Sequence, residues 1–281
     1  MKERRLEHPV RMFAANSFLF VPGSRPDRFA KAHGSGAGLT VIDLEDAVPA
    51  EEKAAARANA LAQVASGEPG WAIRMNGMAT AAGIADLAAL IEAARLPPFL
   101  FVPMVESAAE IEIIASALGE RCPELIPLIE TPKGLRHAVA IASAPKVGGV
   151  MFGGGDFSGE LGVALAWEPL LAARQALVLA CAEARVPAID VPWIHLDDEV
   201  GLADECAKAK ALGFGAKAAI HPTQVATIEA AFTPTAAELA EAEAALAAYA
   251  EAGGKAIRYK GKMLEAPLVK RYQAVLSRKG N

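Results

Sequence analysis

Cysteine is scarce in this sequence and is never paired. The three cysteines, Cys122, Cys181 and Cys206, are an odd number, lie far apart and form no CxxC motif. This spacing favours reduced thiols over a disulfide framework, and it leaves no thiolate pair for a structural zinc site. We therefore expect a cytoplasmic protein.

The sequence also has no excess of positive charge and no long apolar run. Its 28 Lys and Arg residues are outnumbered by 33 Asp and Glu residues, so the formal net charge is −5 at pH 7. This balance gives no polybasic surface for nucleic acid or an anionic membrane. No stretch reaches the roughly 18 uninterrupted apolar residues of a membrane helix, and the N-terminus lacks the pattern of a cleaved signal. We expect a soluble, unprocessed protein with no nucleic-acid and no membrane partner.

What the sequence does have is a regular alternation of two kinds of segment. Hydrophobic residues make up 53% of the 281 residues, enough for a substantial core. Short β-rich runs alternate with Ala-rich segments of helical period, which is the pattern of parallel strands joined by crossover helices. The predicted strands are 17–23, 39–46, 71–76, 99–106, 125–131, 148–156, 187–193 and 216–222.

Eight strand–helix repeats predict a TIM (β/α)8 barrel over residues 14–232. A doubly wound open sheet is the alternative, but eight strands of similar length without a dinucleotide fingerprint favour the barrel. Residues 233–281 follow a different pattern, with two helical segments and a hairpin-like alternation around Lys260 and Gly261. This tail is predicted to be a C-terminal lid, or an arm that embraces a neighbouring chain.

Polar residues follow the predicted strands at their carboxyl ends, where a TIM barrel builds its active site. Most of them are carboxylates, which repel each other unless cations neutralise them. A bound metal and an arginine would supply that neutralisation. The residues are Asp43, Glu45, Asp46, Arg74, Asn76, Glu106, Glu130, Asp156, Asp190 and His221.

Glu130 and Asp156 end consecutive predicted strands, which places their carboxylates side by side. Two oxygen ligands with positions left open suit Mg²⁺, which keeps several waters and uses few protein carboxylates. The absence of paired His or Cys nearby argues against zinc. The alternative is that both carboxylates cap helices or pair with Lys133 and Arg136.

Two further features of this region have more than one interpretation. Arg74 could clamp a carboxylate or an enolate oxygen with its planar set of donors, or form a salt bridge with the acids of the second strand. The glycines of "GGGDFSG", residues 153–159, could leave room for a ligand near Asp156, form a phosphate cradle, or make a plain tight turn.

Basic residues also cluster after the first predicted strand. Arg25, Arg28 and Lys31 lie on the first turns of a helix, where they could hold the phosphates of a ligand such as coenzyme A. A solvated basic face is the default interpretation. His221, at the end of the last strand, is either a base or a hydrogen-bonded structural residue.

Six motifs in register carry a family resemblance that runs from about residue 17 to the C-terminus. Together they resemble the citrate lyase β-subunit-like family of CoA ester lyases, within the HpcH/HpaI aldolase superfamily. The motifs are "FLFVPGSRPDRFAKA", "VIDLEDAVPAEEKAAAR", "IRMNG", "LIPLIETPKGL", "MFGGGDFSGELG" and "GFGAKAAIHPTQVATIEAAF".

The resemblance implies a TIM barrel that assembles as a homotrimer or hexamer and binds Mg²⁺ through Glu130 and Asp156. Arg74 and Glu130 match residues that contact the substrate, and Asp46 is a further catalytic candidate. Phe20, Arg25 and Lys31 match the segment that contacts coenzyme A. The implied reaction is a Claisen-type cleavage or formation of a β-hydroxyacyl-CoA such as citramalyl-CoA, malyl-CoA or citryl-CoA, with a 2-oxo acid and acetyl-CoA as the other side.

Two departures from the family patterns bear on mechanism. Glu265 in "GKMLEAP" stands where the lyases carry a catalytic Asp, and the extra methylene shifts the carboxyl group. Asp46 and Leu128 stand where the pyruvate aldolases of the superfamily carry His and Gln. The lyase is therefore the predicted function. A metal-dependent 2-oxo acid aldolase and a citrate lyase β subunit acting on a carrier-protein thioester remain the alternatives.

Overall fold

The computed structural model describes residues 15–278, which divide into two compact units, Ala15–Phe232 and residues 233–278. Residue 14 and residues 279–281, which fell within the predicted barrel and lid, lie outside the described residues. Each unit is described by itself.

The larger unit is a closed barrel of eight parallel strands in sequential order. The first strand pairs with the last as well as with the second, so the barrel sheet has no free edge. This confirms the predicted TIM barrel. The strands are β1 Ser17–Pro22, β2 Leu39–Asp43, β3 Trp71–Arg74, β4 Phe99–Val102, β5 Glu124–Ile129, β6 Val150–Phe152, β7 Ala188–Asp190 and β8 Ala216–Ala219.

Helices follow the strands around the barrel. Several begin at a capping side chain, as at Thr80, whose hydroxyl accepts a hydrogen bond from the Gly83 N–H. The helices of this unit are α1 Phe29–His33, α2 Lys53–Ala65, α3 Ala81–Glu92, α4 Ala108–Leu118, α5 Pro132–Arg136, α6 Ala138–Ala142, α7 Gly154–Leu161, α8 Trp167–Ala184, α9 Glu199–Leu212 and α10 Val225–Phe232.

The strands are buried on both faces, because helices cover the outside and side chains fill the inside. The rings of Phe18 and Phe101 meet edge to face with centroids 5.6 Å apart. Since β1 and β4 are not neighbours in the sheet, this contact crosses the barrel interior. The barrel is a packed core rather than a pore, and chemistry is confined to its ends.

The strands are shorter than predicted at their carboxyl ends. β2 ends at Asp43 and β5 ends at Ile129, so the acidic residues that follow them lie in loops. The predicted sixth strand is wrong over its last residues, because Asp156 lies in the first turn of α7. The order of these side chains around the barrel mouth is unaffected.

Asp190 does not point to the barrel mouth as its position at a strand end suggested. It is fully buried and accepts hydrogen bonds from Arg174 Nε at 2.9 Å and Lys217 Nζ at 2.7 Å. Glu205 of α9 accepts from Lys217 at 2.7 Å and lies 3.6 Å from Arg174. Two cations and two carboxylates thus form a closed network that we call the buried ion network.

The smaller unit contains two helices and a two-stranded antiparallel hairpin. These are α11 Ala236–Glu251, β9 Ile257–Tyr259, β10 Lys262–Leu264 and α12 Ala266–Leu276. Thr235 and Glu238 form a capping box at the start of α11, and the hairpin turns at Lys260 and Gly261 as predicted. None of the described helices in either unit is long and apolar enough to cross a bilayer.

Candidate active site

Arg74 is the last residue of β3 and organises the barrel mouth. Its Nε and Nη2 each donate to a different oxygen of Asp43, at 2.7 Å, in a two-point pair. Its Nη1 lies 2.8 Å from Glu45 and 3.4 Å from Asp46. Burial acts to lower the pKa of Arg74, but the surrounding carboxylates outweigh it and raise that pKa further. The predicted salt bridge to the acids of the second strand is therefore formed.

Glu45 is left with little compensation inside this cluster. Its Oε2 lies 2.8 Å from Arg74 Nη1, yet no hydrogen bond of acceptable geometry reaches that buried oxygen. The distance shows charge contact, and the geometry shows that it is not a good hydrogen bond. Burial raises the pKa of Glu45 to about 9, with Glu130 and Asp46 adding to the rise. Arg74 opposes this rise but does not cancel it, so the neutral form of Glu45 is favoured below about pH 9.

Glu130 follows β5 and is almost completely buried, with 3% of its surface exposed. Its Oε2 accepts the Met104 N–H at 2.6 Å. Burial raises the pKa of Glu130 to about 7, and the charge of Asp156 adds to the rise. A Cβ atom at Gly153 would lie 2.0 Å from Glu130 Cγ, so glycine is needed there to accommodate Glu130 itself.

Met104 has an unusual backbone that serves Glu130. Its φ angle is 55°, in the left-handed region that non-glycine residues rarely adopt. This conformation directs the Met104 N–H at the Glu130 carboxylate. Strained residues of this kind persist where the surrounding structure requires them, and here the requirement is the orientation of one buried carboxylate.

Asp156 brings the second carboxylate to the same region from α7. Its surface is exposed, but partial loss of water still raises its pKa, and the nearby charge of Asp46 adds to this. The Gly153 N–H donates to the Ile129 carbonyl at 3.0 Å, so the turn that leads into α7 runs beside Glu130, and the charge of Asp156 adds to the raised pKa of Glu130. Glu130 and Asp156 therefore belong to the same region of the barrel mouth, and their joint role as metal ligands stays a prediction.

These carboxylates fit a magnesium ion. Among residues 15–278, no group of three or more His, Cys, Asp and Glu side chains is arranged to hold a metal. Two carboxylates are sufficient for Mg²⁺, which completes its six positions with water and substrate oxygens. Burial keeps the pKa of Glu130 raised although Met104 and Arg74 oppose the rise, and a bound divalent ion would favour the charged form.

A groove of about 490 Å³ opens beside the first and last strands. Phe20 and Lys31 line it as the resemblance implies, together with Arg28 and His221. Arg25 does not line it, because its guanidinium pairs with Asp27 at 2.7 Å on the exposed surface. Two basic side chains and an aromatic ring thus flank one groove.

Three predicted alternatives have definite outcomes. Lys133 pairs with Glu106 at 2.7 Å rather than with Glu130. His221 Nδ1 contacts the Thr223 hydroxyl at 2.8 Å and caps a short turn, so it has the structural contact that was weighed against a role as base. Glu265 lies in the smaller unit as the exposed N-cap residue of α12, without a capping hydrogen bond from its side chain.

Family-wide sequence patterns match nearly the whole chain. Residues 16–222 match the HpcH/HpaI aldolase/citrate lyase family, and residues 171–278 match a C-C bond lyase family of the TIM-barrel fold. The chain belongs to the HpcH/HpaI aldolase/citrate lyase family. The resemblance found in the six motifs is thereby confirmed.

Individual relatives of this family cover almost the full length. The (3S)-malyl-CoA thioesterase of Cereibacter sphaeroides is 36% identical over 87% of this chain and 85% of its own. The mitochondrial citramalyl-CoA lyase of Rattus norvegicus is 31% identical over 92% and 84%. The crystal structure of CitE from Mycobacterium tuberculosis with magnesium, acetoacetate and coenzyme A has a TM-score of 0.80 and 31% identity, covering 95% of this chain and 98% of that one.

Sequence reasoning undervalued three residues of this HpcH/HpaI family member. Glu45 was one of several strand-end acids, and only the contact with Arg74 singles it out. Met104 carries no sequence signal, because its contribution is a main-chain N–H. Arg28 was part of a basic cluster, and helical spacing from Lys31 is the signal that could have preferred it to Arg25.

Proposed function

We propose that the protein is a Mg²⁺-dependent CoA ester lyase, a carbon–carbon lyase that cleaves or forms a β-hydroxyacyl-CoA. The observation that carries the proposal is the buried Glu130 carboxylate at the barrel mouth, against which the turn at Gly153 lies just before α7 brings in Asp156. The products of cleavage would be a 2-oxo acid and acetyl-CoA. Citramalyl-CoA, malyl-CoA and citryl-CoA are the candidate substrates.

Glu130 and Asp156 would hold the magnesium ion, which supplies Lewis-acid polarisation of the oxo-acid oxygens when bound. Arg74 would supply a permanent positive charge to the carbonyl or carboxylate of the substrate. Met104 fixes one oxygen of Glu130 by its N–H, so the other oxygen keeps a defined direction. The chain would therefore supply charged groups that are already oriented before the substrate binds.

Cleavage requires two proton movements. The β-hydroxyl group loses its proton as the bond between the hydroxyl-bearing carbon and the acyl α-carbon breaks, and the electron pair passes to the acyl-CoA enolate. A proton then adds to the enolate carbon and gives acetyl-CoA. Asp46, 63% exposed in its side chain and 3.4 Å from Arg74, is our candidate acceptor of the hydroxyl proton. Glu265 is our candidate donor to the enolate, on the strength of the resemblance alone.

Phe20, Arg28 and Lys31 would bind coenzyme A along the groove beside β1. Basic side chains recognise its phosphates, and an aromatic ring offers an apolar contact. The names of the relatives support a CoA thioester as substrate, since one is a citramalyl-CoA lyase and another a malyl-CoA thioesterase. A homotrimer or hexamer in the cytoplasm is part of the proposal and is measured by light scattering and cell fractionation.

The test is to incubate the protein and Mg²⁺ with each candidate acyl-CoA and identify the products by mass spectrometry. A lyase releases acetyl-CoA with glyoxylate, pyruvate or oxaloacetate. A thioesterase, the activity in the name of the Cereibacter relative, instead releases free coenzyme A and the intact hydroxy acid. Glu130→Ala and Asp156→Ala should remove the metal-dependent products.

Two further arms address the alternatives. Free 4-hydroxy-2-oxo acids test for an aldolase, and citryl thioesters of an acyl carrier protein test for a citrate lyase β subunit. Turnover restricted to either of these, with none from the CoA esters, would overturn the proposal.

A further inference from the structure

Lys53 and Arg57 lie in the first two turns of α2. Lys53 begins α2 directly after a 3-10 turn, Ala50–Glu52, that carries two glutamates. Arg57 follows one turn later, and two like charges at this spacing repel. Neither residue lines the proposed active site, although both belong to the motif "EEKAAAR" that follows the acidic loop. Tertiary contacts must account for them.

The ammonium group of Lys53 reaches two loops behind the barrel mouth. Its Nζ lies 3.0 Å from the Leu44 carbonyl oxygen, 3.0 Å from the Glu45 carbonyl oxygen and 2.6 Å from Asn76 Oδ1. All three donors of the ammonium group therefore have acceptors. The first two acceptors belong to the loop after β2, and the third follows β3.

Asn76 is held in place by a second layer of contacts. Its N–H and its Nδ2 both donate to Asp86 Oδ2, at 2.8 and 2.6 Å. Asp86 is buried and accepts from Arg57 Nε at 2.6 Å through its other oxygen. A continuous chain of hydrogen bonds thus joins α2, the loop after β2, the end of β3 and α3.

The loop that Lys53 holds carries Glu45 and Asp46, which lie around Arg74 with Asp43. All three side chains reach Arg74 only if the main chain of this short segment keeps one shape. Within the loop, the Asp43 carboxylate accepts the Glu45 and Ala47 N–H groups at 3.0 and 3.1 Å, and the Glu45 carbonyl accepts the Val48 N–H at 3.0 Å. Lys53 adds the contacts that join this loop to α2 and to Asn76.

We propose that Lys53 is a positioning residue that holds the loop after β2 in the shape that Arg74 and its carboxylates require. It acts through main-chain carbonyls and touches neither substrate nor metal. The catalytic consequence rests on the proposed lyase function, whereas the effect on the loop does not.

A matched control exists elsewhere in the barrel. Arg121 donates from Nη1 to the Ala93 carbonyl at 2.8 Å and from Nη2 to the Ile91 carbonyl at 2.6 Å. It makes the same kind of contact, from a cation to two main-chain oxygens, at the far end of α3 from the barrel mouth. Its loss removes a structural contact without disturbing the loop after β2.

The experiment compares Lys53→Met with Arg121→Met in the metal-free protein by hydrogen–deuterium exchange. Amide exchange over residues 44–48 should accelerate about tenfold or more in Lys53→Met, because the loop opens locally, and should stay at the wild-type rate in Arg121→Met. In the lyase assay, kcat of Lys53→Met should fall by up to about 100-fold through misplacement, with a much smaller change in KM. Arg121→Met should keep both parameters.

Unchanged exchange over residues 44–48 in a folded Lys53→Met would overturn the proposal, as would an equal kcat loss in Arg121→Met. If Lys53→Met does not fold, Lys53→Gln, which keeps a donor, takes its place, and failure of both to fold assigns Lys53 a purely structural role. Should the wild type cleave no acyl-CoA, the lyase function falls, but the exchange comparison still decides the role of Lys53.

Discussion

Arg74 and Glu130 experience opposite electrostatic conditions in the same barrel mouth. Arg74 has three acidic side chains around it, and they raise its pKa. Glu130 is buried with a single main-chain donor, and its raised pKa of about 7 expresses that shortage. The stability and turnover of variants at Glu130 therefore test the electrostatics of the barrel mouth most directly.

Glu130→Gln is expected to stabilise the metal-free protein at pH 8 while abolishing magnesium-dependent turnover. The neutral amide has nearly the same size as the carboxylate and removes the cost of a buried charge. In EDTA the melting temperature should rise, by about 2–4 °C for each kcal/mol gained in a protein of this size. Scanning calorimetry and the product assay check the two halves.

Glu106→Gln is the matched control for this substitution. Hydrogen bonds from Lys133 and Thr131 lower the pKa of Glu106, so its charged form is favoured. The same change there should leave the melting temperature unchanged or slightly lower and should retain turnover. A melting temperature of Glu130→Gln below that of the wild type, at pH 8 in EDTA, would contradict the conclusion that the buried Glu130 charge destabilises the metal-free protein.

The strands were predictable and their ends were not, for a physical reason that particular residues show. Leu44, Met75 and Val105 are buried, so the apolar pattern of each strand continues past the last residue of the sheet. They pack beneath the loops that carry the acidic residues. Hydrophobic pattern reports burial rather than ladder hydrogen bonds, so it overran each strand end.

The sequence predicts a site residue when its position along a strand places it. It does not predict a residue whose contacts depend on partners from other elements. Arg74 ends β3 and Glu130 directly follows β5, as their sequence positions predict, whereas Asp156 lies in the first turn of α7 rather than at a strand end. The pairing of Arg25 with Asp27, the internal role of Asp190 and the reach of Lys53 depend on neighbours from other elements. Those neighbours are set by the register of the closed barrel.

The first turns after β1 are expected to bind the phosphates of coenzyme A. Lys31→Ala and Arg28→Ala should each raise KM for an acyl-CoA about tenfold, as expected for a charge-assisted hydrogen bond, with little change in kcat. Arg25→Ala, also predicted to contact the cofactor, should have a smaller effect because Asp27 already pairs with it.

Steady-state kinetics with coenzyme A esters and their dephosphorylated analogues provide the measurement. Removal of a phosphate from the coenzyme A ester should raise KM for the wild type. The same removal should raise KM less for a variant that has lost the side chain that binds this phosphate. Equal KM values for the two ligands in wild type and variants would exclude phosphate recognition by this segment.

Glu265 stands at the start of α12, where helix capping and the proposed proton transfer make separate demands. Glu265→Asp should raise stability, since Asp is the better N-cap residue, by up to about 1 kcal/mol. It should also retain turnover, because the family lyases use Asp at this position. Glu265→Gln should lose turnover if the group transfers a proton.

Chemical denaturation and the lyase assay separate these effects. Full turnover in Glu265→Gln would remove the proposed role. Loss of turnover in Glu265→Asp, with gain in stability, would show that the longer side chain is required in this member of the family.

For the molecule as a whole, the acid-rich mouth sets the pH dependence of stability. Glu130 and Glu45 have folded-state pKa values of about 7 and about 9, both above the usual value of 4.5. Their contribution to stability is therefore fully present below pH 4.5 and is lost as pH rises through 7 and then 9. In EDTA, the stability difference between Glu130→Gln and wild type should widen with pH up to about 8.

Magnesium should act in the opposite direction, because it binds the deprotonated carboxylates. The rise in melting temperature on adding Mg²⁺ should therefore grow between pH 5 and pH 8 in wild type and be absent in Glu130→Gln. Parallel curves for the two proteins in EDTA, or a magnesium effect that is independent of pH, would contradict this account.

The buried ion network between β7, β8, α8 and α9 makes the stability of this part of the barrel depend on temperature. When the protein folds, four charged groups with zero net charge must lose their hydration together. They are Arg174, Asp190, Glu205 and Lys217. The hydration of ions becomes less favourable on heating, so this dehydration costs less as temperature rises. The elements that meet in this network should accordingly lose less stability on warming than purely apolar parts of the barrel.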